Sequence, residues 1–288
     1  MRALILGSSG LLGSTLAKIF EDANYELIKH GYKSSSDFNQ DLTNHKQTKI
    51  FLKKIKPDLI INLVGLTDVD RCEIDMDLAY KLNVQTIENI SSYACQTKNC
   101  HLVHISTDQV YDGVGVQSED SVIIRNYYAF SKYAGEIAAR SCKSAILRTN
   151  FFGKSLCNER ISFTDWIIDT LRNKKNINAF NDVFFNPLSM NTLSKIILEI
   201  SKKRIIGTYN LGSKNPMSKA DFIYKFADLM NLDTTLINKI SIDDVDFIQT
   251  YRPKNMQMNC KKIELELDFK LPSLINELIM ETRNYAES

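Results

Sequence analysis

Apolar positions along this chain follow two alternating patterns. Short, nearly continuous apolar runs occur at 2–6, 25–30, 58–64, 102–105 and 144–148. Between them, apolar residues return every three or four positions, at about 11–22, 44–55, 75–97 and 127–140. A short apolar run bounded by turn residues fits a parallel strand buried on both faces, and the longer period fits an amphipathic helix. Thr43 is the expected N-cap of the helix at 44–55. Strand and helix alternate, which predicts an α/β fold with a doubly wound parallel sheet over residues 1–150. After Arg148 the pattern loosens. Helices are expected at 162–173, 190–203, 218–230 and 273–286, with short strands near 176–180 and 207–211. Residues 151–288 are therefore expected to form a smaller C-terminal α/β lobe, with some segments returning to the sheet. No internal repeat or low-complexity linker interrupts the chain.

Composition narrows the function classes. The 288 residues carry a net charge of +2, which gives no reason to expect nucleic acid as a partner. No apolar run approaches the roughly 18 residues of a membrane span, and the N-terminus lacks the long apolar core of a signal peptide. Six scattered cysteines without a CxxC read as reduced thiols, so a cytoplasmic location is expected. Four histidines form no metal-ligand pattern; His101 and His104, three apart on a strand, point to opposite faces, and no metal is expected.

The first strand runs into Gly7-Ser8-Ser9-Gly10-Leu11-Leu12-Gly13, which opens a helix. Such a junction is a phosphate cradle. Glycines let a pyrophosphate approach the backbone, and the free N–H groups of the helix end face the anion. The region thus reads as a dinucleotide-binding Rossmann domain. Gly7, Ser9, Gly10, Leu11, Leu12 and Gly13 are its candidate cofactor contacts. The second strand ends in His30-Gly31-Tyr32-Lys33-Ser34-Ser35-Ser36, without the acid that would hold an NAD ribose. Basic and hydroxyl groups, His30 and Lys33 first among them, suit a 2′-phosphate, so NADPH is expected and NADH remains open.

The helix at 127–140 carries Tyr128 and Lys132, four residues apart and so on one helical face. A cation beside a phenol favours the phenolate, so Lys132 is expected to lower the Tyr128 pKa toward the range of proton transfer. The same spacing recurs at Tyr25 and Lys29, but that run reads as a strand, where it does not bring the two groups together. The preceding strand ends in Ser106-Thr107-Asp108, where functional groups of open parallel sheets collect.

Together these residues resemble the extended short-chain dehydrogenase/reductase family. Gly7, Gly10 and Gly13 match its glycine loop, Thr107, Tyr128 and Lys132 its catalytic triad, and Asn83 its helix asparagine. The chain is most similar to the branch of nucleotide-sugar 4-keto reductases, the dTDP-4-dehydrorhamnose reductases. Asn62 to Glu73, Ser106 to Gly113, Tyr128 to Glu136, Leu147-Arg148-Thr149, Gly207 to Leu211 and Arg252-Pro253-Lys254 carry that likeness. The branch usually has Pro where Ile124 stands, Gly where Ala129 stands and Trp where Phe151 stands. Thr15 occupies the place of a Glu that holds Mg²⁺ between subunits in some members, so a metal-bridged dimer is not expected, although a homodimer stays open.

The resemblance implies roles. Tyr128 would donate a proton, Thr107 would hold the carbonyl oxygen, Lys132 would tune Tyr128 and bind the nicotinamide ribose, and Asn83 would hold a relay water. Asp41, Leu42, Leu63, Val64 and Gly65 would line the cofactor path, and Thr67 the cofactor or the sugar nucleotide. Val69, Asp70, Asp108, Phe151, Asn186 and Arg252 are candidate contacts for the nucleotide-sugar substrate. A related 4,6-dehydratase would need Asp-Glu after the threonine; here Asp108 is followed by Gln109, whose amide cannot act as a base. The regulatory subunit of methionine adenosyltransferase resembles the same branch, so a non-catalytic cofactor-binding subunit is the alternative of a different class.

Overall fold

A computed structural model describes residues 1–31, 36–157, 159–246 and 248–286. The chain begins with β1 (Arg2–Leu6), α1 (Leu11–Asp22), β2 (Glu26–Gly31), β3 (Phe38–Asn39), α2 (His45–Ile55) and β4 (Leu59–Asn62). Helices α3 (Val69–Ile74) and α4 (Met76–Tyr80) follow. A π-helical turn (Lys81–Gln85) then leads into α5 (Thr86–Gln96), so the helix expected at 75–97 is one rod with a widened turn around Asn83. Next come β5 (His101–Thr107), α6 (Tyr127–Ala139) and β6 (Ser144–Thr149). The C-terminal part holds β7 (Phe151–Phe152), α7 (Phe163–Arg172), β8 (Ile177–Phe180), β9 (Phe184–Phe185), β10 (Leu188–Ser189) and α8 (Met190–Lys203). It ends with β11 (Gly207–Leu211), β12 (Met217–Ser218), α9 (Lys219–Leu229), β13 (Ile237–Ile240), α10 (Lys261–Leu267) and α11 (Leu274–Ala286).

Among the described residues the main sheet has seven strands in the order β11-β6-β5-β4-β1-β2-β3, and every pairing is parallel. The continuous apolar runs have a direct cause. Along β1, Ala3 and Ile5 face one core while Leu4 and Leu6 face the other, and β4, β5 and β6 alternate in the same way. The first core lies under α1, α8 and α10, and the second under α2 and α5. Segments after residue 150 contribute to both parts of the molecule. β11, α8 and α10 join the sheet's core, while α7, α9 and α11 form a separate aromatic-rich core around Phe152, Phe222 and Phe226.

Strand order reverses between β1 and β4, and ligands of open α/β sheets bind in the crevice outside that switch point. Gly7 follows β1 and Leu63 follows β4, so the glycine turn sits at the mouth of this crevice. The cap of α2 differs from expectation. Asn44, not Thr43, is the N-cap, its side chain accepting from Gln47 N at 3.0 Å, while Thr43 folds back onto Asp41. Among the described residues, no helix is long and apolar enough to cross a membrane.

Candidate active site

The glycine turn is shaped by its own backbone. Gly7 has φ +85°, which favours glycine. A Cβ on Gly13 would stand 2.2 Å from the Gly7 carbonyl, so α1 can pack against the turn only with glycine there. A Cβ on Gly10 would meet only that carbonyl, at 3.4 Å, leaving open space above it. Gly10 is the N-cap of α1, and no side chain caps the helix end. The exposed N–H groups and free volume suit the diphosphate of a dinucleotide.

Two cavities meet over this turn. The larger, about 510 Å³, is lined by Gly7, Ser9, Gly10, His30, Asp41, Leu42, Leu63, Val64 and Gly65. The smaller, about 260 Å³, is lined by Gly7, Gly10, Leu11, Leu12, Gly13, Leu63, Gly65 and Thr67, together with Thr107, Asp108, Tyr128, Lys132 and Phe151. The three triad candidates thus share one cavity with the phosphate turn. Helix α6 delivers two of them. Its start is set by Asn126, whose side chain accepts from Ala129 N at 2.8 Å, and by Glu73, which accepts from Tyr127 N at 2.9 Å.

The electrostatics differ from expectation at Tyr128. Burial is the largest influence and holds its phenol well above the ordinary range, against the opposing effect of a hydrogen bond with the Thr107 side chain. Lys132 is not among the influences on Tyr128; one of its three ammonium donors goes to the Ile105 carbonyl at 2.7 Å. Burial instead brings Lys132 down to about 8, with Glu136 and Cys72 opposing. Asp108 is 1 % exposed, and burial raises it to about 6 despite a bond from Asn150 Nδ2 at 2.8 Å.

Other candidates are placed differently from their expected roles. The Asn83 amide donates to Leu66 O (3.0 Å) and Ser131 Oγ (2.8 Å) and accepts from Leu66 N (2.7 Å). It fixes the loop beside Gly65. His30 is 2 % exposed, lies with Nε2 2.8 Å from Gln40 O, and is shifted toward neutrality by burial. It therefore brings no cation to a 2′-phosphate; Lys33 lies outside the described residues. Asn186 is 1 % exposed and ties Ser213 and Met258 backbone together, away from both cavities, so it is no substrate contact in this structure. Asp70 and Arg252 bond each other at 2.7 Å, and Val69 packs with Cys72 and Ala79 beneath Tyr128.

Sequence reasoning missed the group that holds α6 in place. Glu136, four residues after Lys132, has no exposure. It receives Arg148 Nε at 2.9 Å, Arg148 Nη2 at 2.7 Å and the Ser106 hydroxyl at 2.5 Å. Arg148 Nη1 also donates to Tyr111 Oη at 2.6 Å. This bidentate pair ties α6 to β6 and to the end of β5. The spacing Tyr128, Lys132, Glu136 on one helix was the available signal.

Comparison with known proteins agrees with this geometry. The family model described as RmlD substrate binding domain matches residues 1–283. The dTDP-4-dehydrorhamnose reductase of Aggregatibacter actinomycetemcomitans is 29 % identical over 307 residues, covering 99 % of each chain. Methionine adenosyltransferase 2 subunit beta of Rattus norvegicus is 26 % identical over 91 % of this chain and 81 % of its own length. The crystal structure of the Bacillus anthracis dTDP-4-dehydrorhamnose reductase in complex with NADP superimposes with a TM-score of 0.88 at 25 % identity, covering 100 % of this chain and 99 % of that one.

Proposed function

The chain belongs to the RmlD substrate binding domain family, and from that premise we propose that it is an NADPH-dependent reductase of a nucleotide-activated 4-keto-6-deoxy sugar. The preferred substrate is dTDP-4-dehydrorhamnose, reduced to dTDP-L-rhamnose for cell-surface polysaccharide synthesis, as the names of its reductase relatives suggest. The observation that carries this reading is the convergence of Thr107, Tyr128 and Lys132 with the glycine turn in one cavity.

NADPH bound over Gly7 and Gly10 would supply hydride to the substrate carbonyl carbon. The chain's own residues handle the oxygen. Thr107 hydrogen-bonds it and fixes its position. Tyr128 is a neutral phenol at physiological pH, held so by burial, and is therefore a proton donor rather than a base in the reductive direction. Lys132 supplies positive charge beside the developing alkoxide and a donor toward the cofactor ribose. Burial of Thr107, Tyr128 and Lys132 strengthens each of these interactions.

The regulatory-subunit reading has the methionine adenosyltransferase relative in its favour and the intact triad against it. The deciding experiment follows NADPH oxidation against nucleotide-4-keto-6-deoxy sugars, with NMR of the product. Turnover with one of them supports the reductase. NADPH binding without turnover on any of them, and co-purification of a synthetase, would sink it in favour of the subunit.

A further inference from the structure

We propose that Arg160 is a diphosphate clamp, reaching from the C-terminal lobe's loop across the glycine turn to the bridging phosphates of the bound dinucleotide. The inference rests on the reading above that these cavities take NADP(H).

Arg160 lines both cavities, as do Gly7 and Gly10. It therefore stands at the junction where the nicotinamide and adenosine halves of a dinucleotide would be joined. A cation there would add to what the turn supplies. The turn offers backbone N–H groups and a helix dipole of about half a charge, against two formal negative charges on a diphosphate. The other cations lining the cavities are engaged. Lys132 lines only the smaller cavity and is held to the Ile105 carbonyl, and Lys81 lines only the larger and is paired with Asp77 at 2.5 Å. Arg160 has no ion pair among the described residues, and its side chain is exposed. Asp41 and Glu159 line the adenosine-side cavity and Asp108 the other, so each acid lines one cavity only, whereas Arg160 lines both.

The loop is built to present this arginine. The Ser155 hydroxyl lies 2.8 Å from the Arg160 carbonyl and 3.0 Å from that of Cys157, and Ser155 N donates to Asp165 at 3.1 Å. Ser162 then caps α7 in a reciprocal bond with Asp165. The backbone of Arg160 is thus anchored on the helix cap while its guanidinium stays free. A planar fork matches two phosphate oxygens at once, which a lysine cannot do.

The test is titration of the full chain with NADPH and with NADH, by fluorescence or competition, for wild type, Arg160→Met and Arg160→Lys. Arg160→Met should weaken both cofactors by the same factor, about tenfold, because both carry the diphosphate, and Arg160→Lys should recover part of it. Melting without nucleotide should match wild type, since the side chain is exposed. Unchanged affinity in Arg160→Met overturns the clamp, and so does a loss confined to NADPH, which would place the guanidinium on the 2′-phosphate. A wild type that binds neither cofactor overturns the cofactor reading and the clamp together; a wild type that binds while Arg160→Met is unaffected overturns the clamp alone.

Discussion

The chain carries the same spacing twice, and the two copies live in different worlds. Tyr25 immediately precedes β2 with its ring 5.0 Å from that of Phe20, and Lys29 reaches out to a surface bridge with Glu21 at 3.1 Å. Tyr128 and Lys132 sit on α6, 6 % and 5 % exposed, in the cavity with the glycine turn. Four residues along a strand do put two side chains on one side, but about 13 Å apart; on a helix they stand about 6 Å apart. The second difference is water. Lys29 keeps its ammonium in solvent, whereas Lys132 has lost hydration and its pKa falls to about 8. A motif thus acquires chemistry from the element that spaces it and the burial that desolvates it.

That contrast can be broken most sharply at the support of α6. Glu136→Ala leaves Arg148 buried without its carboxylate and should cost about 3–5 kcal/mol, whereas Lys29→Ala should cost no more than about 0.5 kcal/mol. Urea midpoints of the two variants measure this, and equal values would show that the buried pair does not organise the helix. Tyr128→Phe should lower turnover about a hundredfold while Tyr25→Phe leaves it within twofold. Activity retained in Tyr128→Phe removes the proton-donor assignment.

The titration of Lys132 provides a smaller effect. Its folded pKa is about 8 against 10.5 unfolded, so the ammonium is present below pH 8 and lost above it. The rate should decline as pH rises through about 8. Stability has the opposite sign. The unfolded chain binds more protons between about 8 and 10.5, so this group's contribution to stability rises with pH in that window. A Lys132→Met protein should lose that contribution, seen by comparing urea midpoints across the window. Asp108 gives the smallest effect. Its folded pKa is about 6 against 3.8, so the native state binds more protons and this group's contribution falls as pH rises through that interval. Asp108→Asn should raise stability at pH 7.5 by about 1–2 kcal/mol. A destabilised variant would mean that its bonds to Asn150 and Thr107 outweigh its burial.

Much of the fold was legible in the sequence because parallel strands must be apolar on both faces. The runs at 2–6, 58–64 and 144–148 announce such strands without reference to neighbours. The glycine turn was legible for a local reason too, since its spacing permits close approach of backbone to phosphate. Asn186 shows the limit. The sequence offers it as a substrate contact, yet its amide bonds the carbonyls of Ser213 and of Met258, the latter 72 residues further along the chain. Asn83 also ties distant segments together, its amide donating to Leu66 O and Ser131 Oγ. Hydrogen-bond partners brought in from distant segments leave no periodic trace.

By itself, the sequence determined the strand and helix alternation, the phosphate turn and the helical spacing of Tyr128 and Lys132, because each depends on residues close in the chain. Tertiary structure decided the rest: which copy of the spacing is buried, that Lys132 is held to the Ile105 carbonyl, that Glu136 is locked by Arg148, and that Arg160 lines both cavities beside the glycine turn. The buried bonds depend on desolvation and on contacts between segments far apart in the chain, and both exist only once the sheet and the C-terminal lobe have come together.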